Sequence, residues 1–175
     1  IDIAQTALDD GDLELSLQAR RAAYEIDPIN QTTEFANALR RMETYSEAEA
    51  LLYEALSRNP TSDQRATWWR TLGELYRDQG DWIKAKDAFH NALLIDPKDS
   101  TSWVRLGWLV YGQTNDADAA IGYFKEAIRV RPSRSIGYYA IGQVLLREGQ
   151  SEQALDWFRQ ASEKEPKNLN NLLVY

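Results

Sequence analysis

Trp69-Arg70-Thr71-Leu72-Gly73-Glu74-Leu75-Tyr76, followed nine residues on by Ala85-x3-Phe89-x2-Ala92-x4-Pro97, decides how this chain folds. Trp69, Leu72, Gly73 and Tyr76 fall at i, i+3, i+4 and i+7, one face of a helix. Gly73 has no side chain on that face, so a neighbouring helix can approach closely there. Gln79-Gly80-Asp81 reads as a turn, with Gly80 suited to end one helix and Asp81 to cap the next. Trp82, Ala85, Phe89 and Ala92 give a second helix its apolar stripe. Asp96-Pro97 stops it, because the residue before proline avoids helical backbone.

The second half of this unit recurs along the chain. It reads Ala48/Leu52/Ala55/Pro60, Ala85/Phe89/Ala92/Pro97, Ala120/Phe124/Ala127/Pro132 and Ala154/Phe158/Ala161/Pro166. The first half recurs as Trp103/Leu106/Gly107/Val110 and Tyr138/Ile141/Gly142/Leu145, and more weakly as Phe35/Ala36/Leu39. A partial copy opens the chain with Ile3, Ala4, Ala7, Gly11, Ser16 and Ala23. The prolines at 28, 60, 97, 132 and 166 are spaced 32, 37, 35 and 34 apart. The long gap places extra residues around Thr61–Arg65, a candidate point for a change of pitch. A fixed period in the 30s predicts a stacked array: one helix pair cannot bury its stripe alone, whereas neighbours together bury a continuous core.

These residues resemble the tetratricopeptide repeat family over nearly the whole chain. Departures are Thr32 where the family favours Trp, Glu43 where a turn Gly is usual, and Arg20 where a large apolar residue is expected. The resemblance implies an all-α fold, a right-handed superhelical α-solenoid of antiparallel helix pairs. It divides 1–175, read as a single array, into repeats 1–28 (partial), 29–62, 66–99, 100–134 and 135–168. Residues 169–175 are expected to start a helix that caps the last repeat, since a bare end leaves apolar surface exposed.

Roughly opposite the packing stripe of each first helix lies a second one, by the 100° advance per residue. In the family this stripe lines a concave groove where peptides lie. Its occupants here are Ile1, Gln5, Leu8 and Asp9; then Thr33, Asn37, Arg40 and Arg41; then Arg70, Glu74, Arg77 and Asp78. Val104, Trp108, Tyr111 and Gly112 follow, then Tyr139, Gln143, Leu146 and Arg147. The early half is rich in Arg, the later half aromatic and apolar. Arg forks suit carboxylates and phosphates, and exposed Trp and Tyr suit a binding hot spot. The expected partner is an extended protein segment with acidic side chains at Arg40, Arg41, Arg70 and Arg77 and an apolar one at Trp108, Tyr111 and Tyr139. The competing reading pairs the arginines internally with Glu74 and Asp78. Trp69, Trp82, Trp103 and Trp157 fall on core slots, and Trp68 is expected to pack between repeats. The carboxylate-clamp pattern of chaperone-binding members is matched only at Asn37 and Arg105, with Thr33, Thr71 and Thr101 in the other slots, so chaperone tails are not expected as ligands.

Composition narrows the function further. A net charge of −7 and a sequence pI of about 4.8 argue against a general nucleic-acid or anionic-membrane binder. The chain has no Cys and a single His, His90, expected in solvent. Thiol chemistry and a Cys/His metal site are therefore not expected, nor is any cofactor. No apolar run reaches the ~18 residues of a membrane span. Paired acids at Asp9/Asp10, Asp116/Asp118 and Glu163/Glu165 are read as caps and solvated charge, not as a catalytic centre. Asn30-Gln31-Thr32 fits a glycosylation sequon. The chain opens at Ile1 inside a helical pattern, which leads to the expectation that it is a piece of a longer protein. The sequence thus reads as a non-enzymatic interaction scaffold. Two alternatives are a substrate-selecting accessory domain of a larger enzyme, of glycosyltransferase or polysaccharide-assembly type, and self-association through the terminal repeats.

Overall fold

A computed structural model of the chain describes residues 13–166. The first helix of the partial first repeat, Asp9/Asp10 and the expected cap at 169–175 lie outside the described residues. Nine helices and no strand are present among the described residues: α1 (Leu13–Ile26), α2 (Pro28–Arg41), α3 (Tyr45–Ser57), α4 (Ser62–Asp78), α5 (Trp82–Ile95), α6 (Ser100–Thr114), α7 (Ala117–Val130), α8 (Ile136–Arg147) and α9 (Ser151–Lys164). Two compact units form along the chain, Ile1–Ile95 and Asp96–Tyr175.

Several helices begin where local chemistry favours it. Asp27, Asp99 and Asp116 cap α2, α6 and α7, accepting from the backbone N–H of Asn30, Thr101 and Ala119. Thr61 and Gln64 form a reciprocal capping box at the start of α4. The extra residues after Pro60 are therefore helical: they lengthen α4 to 17 residues. Three of the four pair turns are built alike. Thr44, Asp81 and Gln150 each donate a backbone N–H to a carbonyl five residues back, those of Leu39, Tyr76 and Leu145. This closure needs left-handed backbone at the preceding residue. Gly80 and Gly149 supply it at φ 77°, and Glu43 is forced to φ 58° in the same slot. The fourth turn, between α6 and α7, is closed by left-handed Asn115, whose N–H donates to Tyr111 O.

The repeating Gly and Phe meet inside each pair. A Cβ at Gly73, Gly107 or Gly142 would lie 2.6, 2.4 or 2.6 Å from the ring of Phe89, Phe124 or Phe158. The glycine is thus required by a ring that fills its place, not by its backbone angles. In unit 1 the core comprises Phe35, Leu39, Leu52, Leu72, Leu75 and Phe89 with the alanines between them. In unit 2 it gathers Val104, Phe124, Ile141, Val144 and Leu145 around Ala120, Ala127 and Ala140.

Two tryptophan expectations divide. Trp68 is 3% exposed and packs inside unit 1. Trp82, expected on a core slot, is 45% exposed. It is the first residue of α5, so its side chain leans past the end of the helix, where nothing covers it in full. The sequon is ill placed. Thr32 is 1% exposed within α2, its hydroxyl donates to Pro28 O, and Asn30 donates to Asp27.

Candidate functional site

The second stripe is where a partner is expected, and each unit carries its own portion. In unit 1, α2 and α4 bring Arg40 against Glu74 at 3.5 Å and against Asp78. Arg77 adds Nε and Nη2 bonds of 3.0 and 2.7 Å to one oxygen of Asp78. Burial disfavours the Asp78 charge, but the bonds from Arg77 and Arg40 outweigh it and hold the carboxyl below its usual 3.8. Arg70 is half-buried and Arg41 is exposed. Arg41 carries no ion pair among the described residues. Asn37 Oδ1 and Arg40 Nε are buried with no hydrogen-bond partner. An unmade bond at such a group costs about 1–3 kcal/mol, which calls for an explanation.

Unit 2 builds the same slots differently. Tyr111 stands where α2 has Arg40, and Arg147 stands where α4 has Asp78. The Arg147 guanidinium lies 5.3 Å from the Trp108 ring centre and 5.9 Å from that of Tyr111, within reach of a cation–π attraction. The Tyr111 hydroxyl donates to Glu148 Oε1 at 2.7 Å. That bond, with some burial, raises the phenol above its usual 10.0. Trp108 packs on Phe124 at 5.2 Å and Tyr139 on Phe158 at 5.3 Å between ring centres. Gln143 is half-buried and Arg147 exposed.

Two expectations on this stripe are corrected. Tyr111, expected on open surface, is only 7% exposed. Val104, also on the stripe, is 2% exposed. Both belong to the core cluster of unit 2 with Ala140 and Val144 of α8, so this edge of α6 is covered by the next first helix. Trp108, Tyr139 and Gln143 remain partly open. The sequence also gave no notice of Glu148, which lies one residue beyond the stripe, or of the bond from the Tyr76 hydroxyl to Glu49 at 2.6 Å. Burial and that bond push the Tyr76 phenol up and tie α3 to α4.

The sequence profile of the tetratricopeptide repeat family matches residues 25–175. The chain belongs to the tetratricopeptide repeat (TPR) family. It is 26% identical to the DnaJ homolog subfamily C member 7 homolog of Schizosaccharomyces pombe, covering 91% of this chain and 36% of that protein. It is 25% identical to anaphase-promoting complex subunit 3 of the same yeast, covering 76% of this chain and 19% of that protein. The chain thus spans between a fifth and just over a third of these relatives' lengths. Among solved structures, a thermophilic TPR protein of Thermus thermophilus superposes with a TM-score of 0.73 at 17% identity, covering 95% of this chain and 90% of that one. MamA superposes at 0.62 and 21% identity, covering 97% and 98%. These likenesses show the TPR solenoid fold. Among the described residues no group of three or more acidic or His side chains is placed to hold a metal ion. No helix there is long and apolar enough to cross a membrane.

Proposed function

We propose that this TPR array is a protein-interaction scaffold whose first-helix stripes bind a partner polypeptide of acidic and apolar character. The observation that carries the reading is the charge of the unit 1 stripe. In sequence it carries four arginines (Arg40, Arg41, Arg70 and Arg77) and three carboxylates (Asp9, Glu74 and Asp78), a positive excess on a chain whose net charge is −7. Glu74 and Asp78 satisfy Arg40 and Arg77 only in part, and Arg41 projects into solvent beside them. A carboxylate arriving here meets preorganised forks and completes a charge pattern the protein leaves unbalanced. The unpartnered Asn37 Oδ1 and Arg40 Nε belong to the same face and would gain from a polar ligand that shifts them slightly. In unit 2 the partly open Trp108 and Tyr139 rings offer apolar contact with little conformational freedom to lose.

The test uses two labelled twelve-residue peptides, one rich in glutamate for the unit 1 stripe and one rich in leucine and phenylalanine for that of unit 2, each followed by fluorescence anisotropy. Arg41→Glu is the cleanest variant, because Arg40→Glu would set a third acid against Glu74 and Asp78 and threaten the fold. Arg41→Glu is expected to weaken binding of the acidic peptide about tenfold, the loss of one charge-assisted contact, and to flatten its salt dependence. Tyr139→Ala is expected to weaken binding of the apolar peptide without changing its salt dependence. Affinities indifferent to both substitutions and to salt overturn the reading.

A further inference from the structure

Thr32 occupies the slot held by Trp69, Trp103 and Tyr138 in the other repeats. In unit 2 the ring at this slot is tied to the proline that ends the preceding repeat. Trp103 Nε1 donates to Pro97 O at 3.1 Å, and the Tyr138 hydroxyl donates to Pro132 O at 3.2 Å. Thr32 brings no ring and makes no such tie: its hydroxyl bonds within its own helix, donating to Pro28 O at 2.5 Å. Beside Thr32, unit 1 has a cleft of about 260 Å³ with apolar walls from Pro28, Ile29, Ala55, Pro60 and Trp68, lined also by the polar Arg58, Asn59, Thr61 and Gln64. Ala55 and Pro60 are the second alanine and the proline of the repeat pattern. Trp103 packs against the cluster holding the equivalent alanine, Ala127.

Trp68 also sets unit 1 apart. Its slot is filled by Ser102 and Gly137 in unit 2, and there is no room for more at Gly137: a Cβ would lie 2.8 Å from Ile128 Cγ1 and 3.0 Å from Phe124 O. In unit 1 that slot holds the buried indole of Trp68, 3% exposed, which forms one wall of the cleft. An apolar cavity of ~150 Å³ takes up benzene; one of about 260 Å³ has space for an indole. The cleft also has a neighbour. A second hollow of about 200 Å³ shares Ile29, Gln64 and Trp68 and continues over Asn30, Thr33, Asp63 and Thr67. Those side chains suit the N–H and C=O groups of a peptide main chain. Ile29, at the seam of the two hollows, is 52% exposed.

We propose that this cleft of unit 1 is a socket for an aromatic side chain presented by a second polypeptide, with the ring in the apolar hollow and its main chain along the polar one. Unlike the stripe reading, it does not depend on the arginines.

The probes are N-acetyl-tryptophanamide, N-acetyl-leucinamide and free indole, titrated by ligand-observed NMR against the full chain. The tryptophan amide is expected to bind at least tenfold tighter than the leucine amide and tighter than indole. Thr32→Trp supplies the ring internally and is expected to weaken tryptophan-amide binding at least tenfold. Ile29→Asp, at an exposed position that leaves the fold alone, is expected to weaken it at least fivefold and decides the matter if Thr32→Trp does not fold. Arg41→Glu is expected to leave it unchanged, which separates failure of the socket from failure of the stripe reading. No saturable binding by the wild type, equal binding of the two amides, or unchanged binding by both Ile29→Asp and a folded Thr32→Trp overturns the proposal. Indole binding as tightly as the amide also overturns it, in favour of a small-molecule pocket.

Discussion

Unit 1 and unit 2 solve one problem with different chemistry. Each must hold two successive first helices side by side through the same two slots. Unit 1 fills them with Arg40 and Asp78, unit 2 with Tyr111 and Arg147. The first pairing is ionic and reinforced by Glu74 and Arg77. The second spreads a cation over two rings, and the Tyr111 hydroxyl donates a hydrogen bond to Glu148. The repeat fixes where two helices touch and leaves open what touches there. The stripe's chemistry thus differs between the units while the glycine–phenylalanine contact within each pair, on another face, stays the same.

The largest expected effect comes from breaking that shared contact. Gly107→Leu puts a branched side chain where the Phe124 ring already lies. Overpacking of this kind costs about 1–3 kcal/mol, and this site belongs at the upper end because the ring is fully buried. Native-state hydrogen exchange should show the loss most strongly in α6 and α7, then in the adjoining repeats, as nearest-neighbour coupling requires. Protection unchanged in α7 would refute the role given to the glycine.

Next in size is the contrast between the two slot pairs. A double-mutant cycle on Arg40 and Asp78 should give a coupling near 1 kcal/mol, because the pair is only partly exposed. That coupling should shrink in 1 M salt. Tyr111→Phe should cost about 1 kcal/mol through the lost bond to Glu148, with little salt dependence. Equal salt sensitivity in both units would erase the distinction.

Acid sharpens the same contrast. Asp78 is held below its ordinary value of 3.8, so its native form binds protons less readily than the unfolded chain. Its stabilising contribution is complete above that value and is lost as pH falls through the lower, folded value. In thermal melts between pH 5 and 2.5, Asp78→Asn is expected to be less stable than wild type at pH 5 and to approach it at pH 2.5. A constant difference between the two curves would mean that the carboxylate charge is not what ties α2 to α4.

How much of this could be read in the sequence follows from what each feature depends on. The helix pairs, the capping Asp81 and Asp116, and the close approach at Gly73 all depend on residues within one repeat, and periodicity exposes them. The stripe was equally legible as a set of positions. Glu74 and Asp78 could be named as acids for the arginines, and Arg40 and Arg77 do pair with them; which arginine meets which acid was not legible, because Arg40 and Asp78 are 38 residues apart in sequence and the lateral offset between neighbouring first helices leaves no periodic trace. That same offset buries Val104 and Tyr111. The cleft at Thr32 had a visible sign, the missing ring, but one of its walls, Trp68, comes from a different helix, α4.

The smallest expected effect concerns the one turn where local sequence and fold disagree. Glu43 adopts φ 58° in the slot where Gly80 and Gly149 sit at φ 77°. Left-handed backbone costs a residue with a Cβ about 1 kcal/mol relative to glycine, but glycine also releases entropy in the unfolded chain. Glu43 is exposed, so the change removes no packing. Glu43→Gly should therefore stabilise unit 1 by up to about 0.5 kcal/mol, and Gly149→Glu should destabilise unit 2 by a similar amount. If denaturant titration finds Glu43→Gly neutral or destabilising, the Glu43 side chain contributes something at this turn that the glycine turns of the other pairs lack.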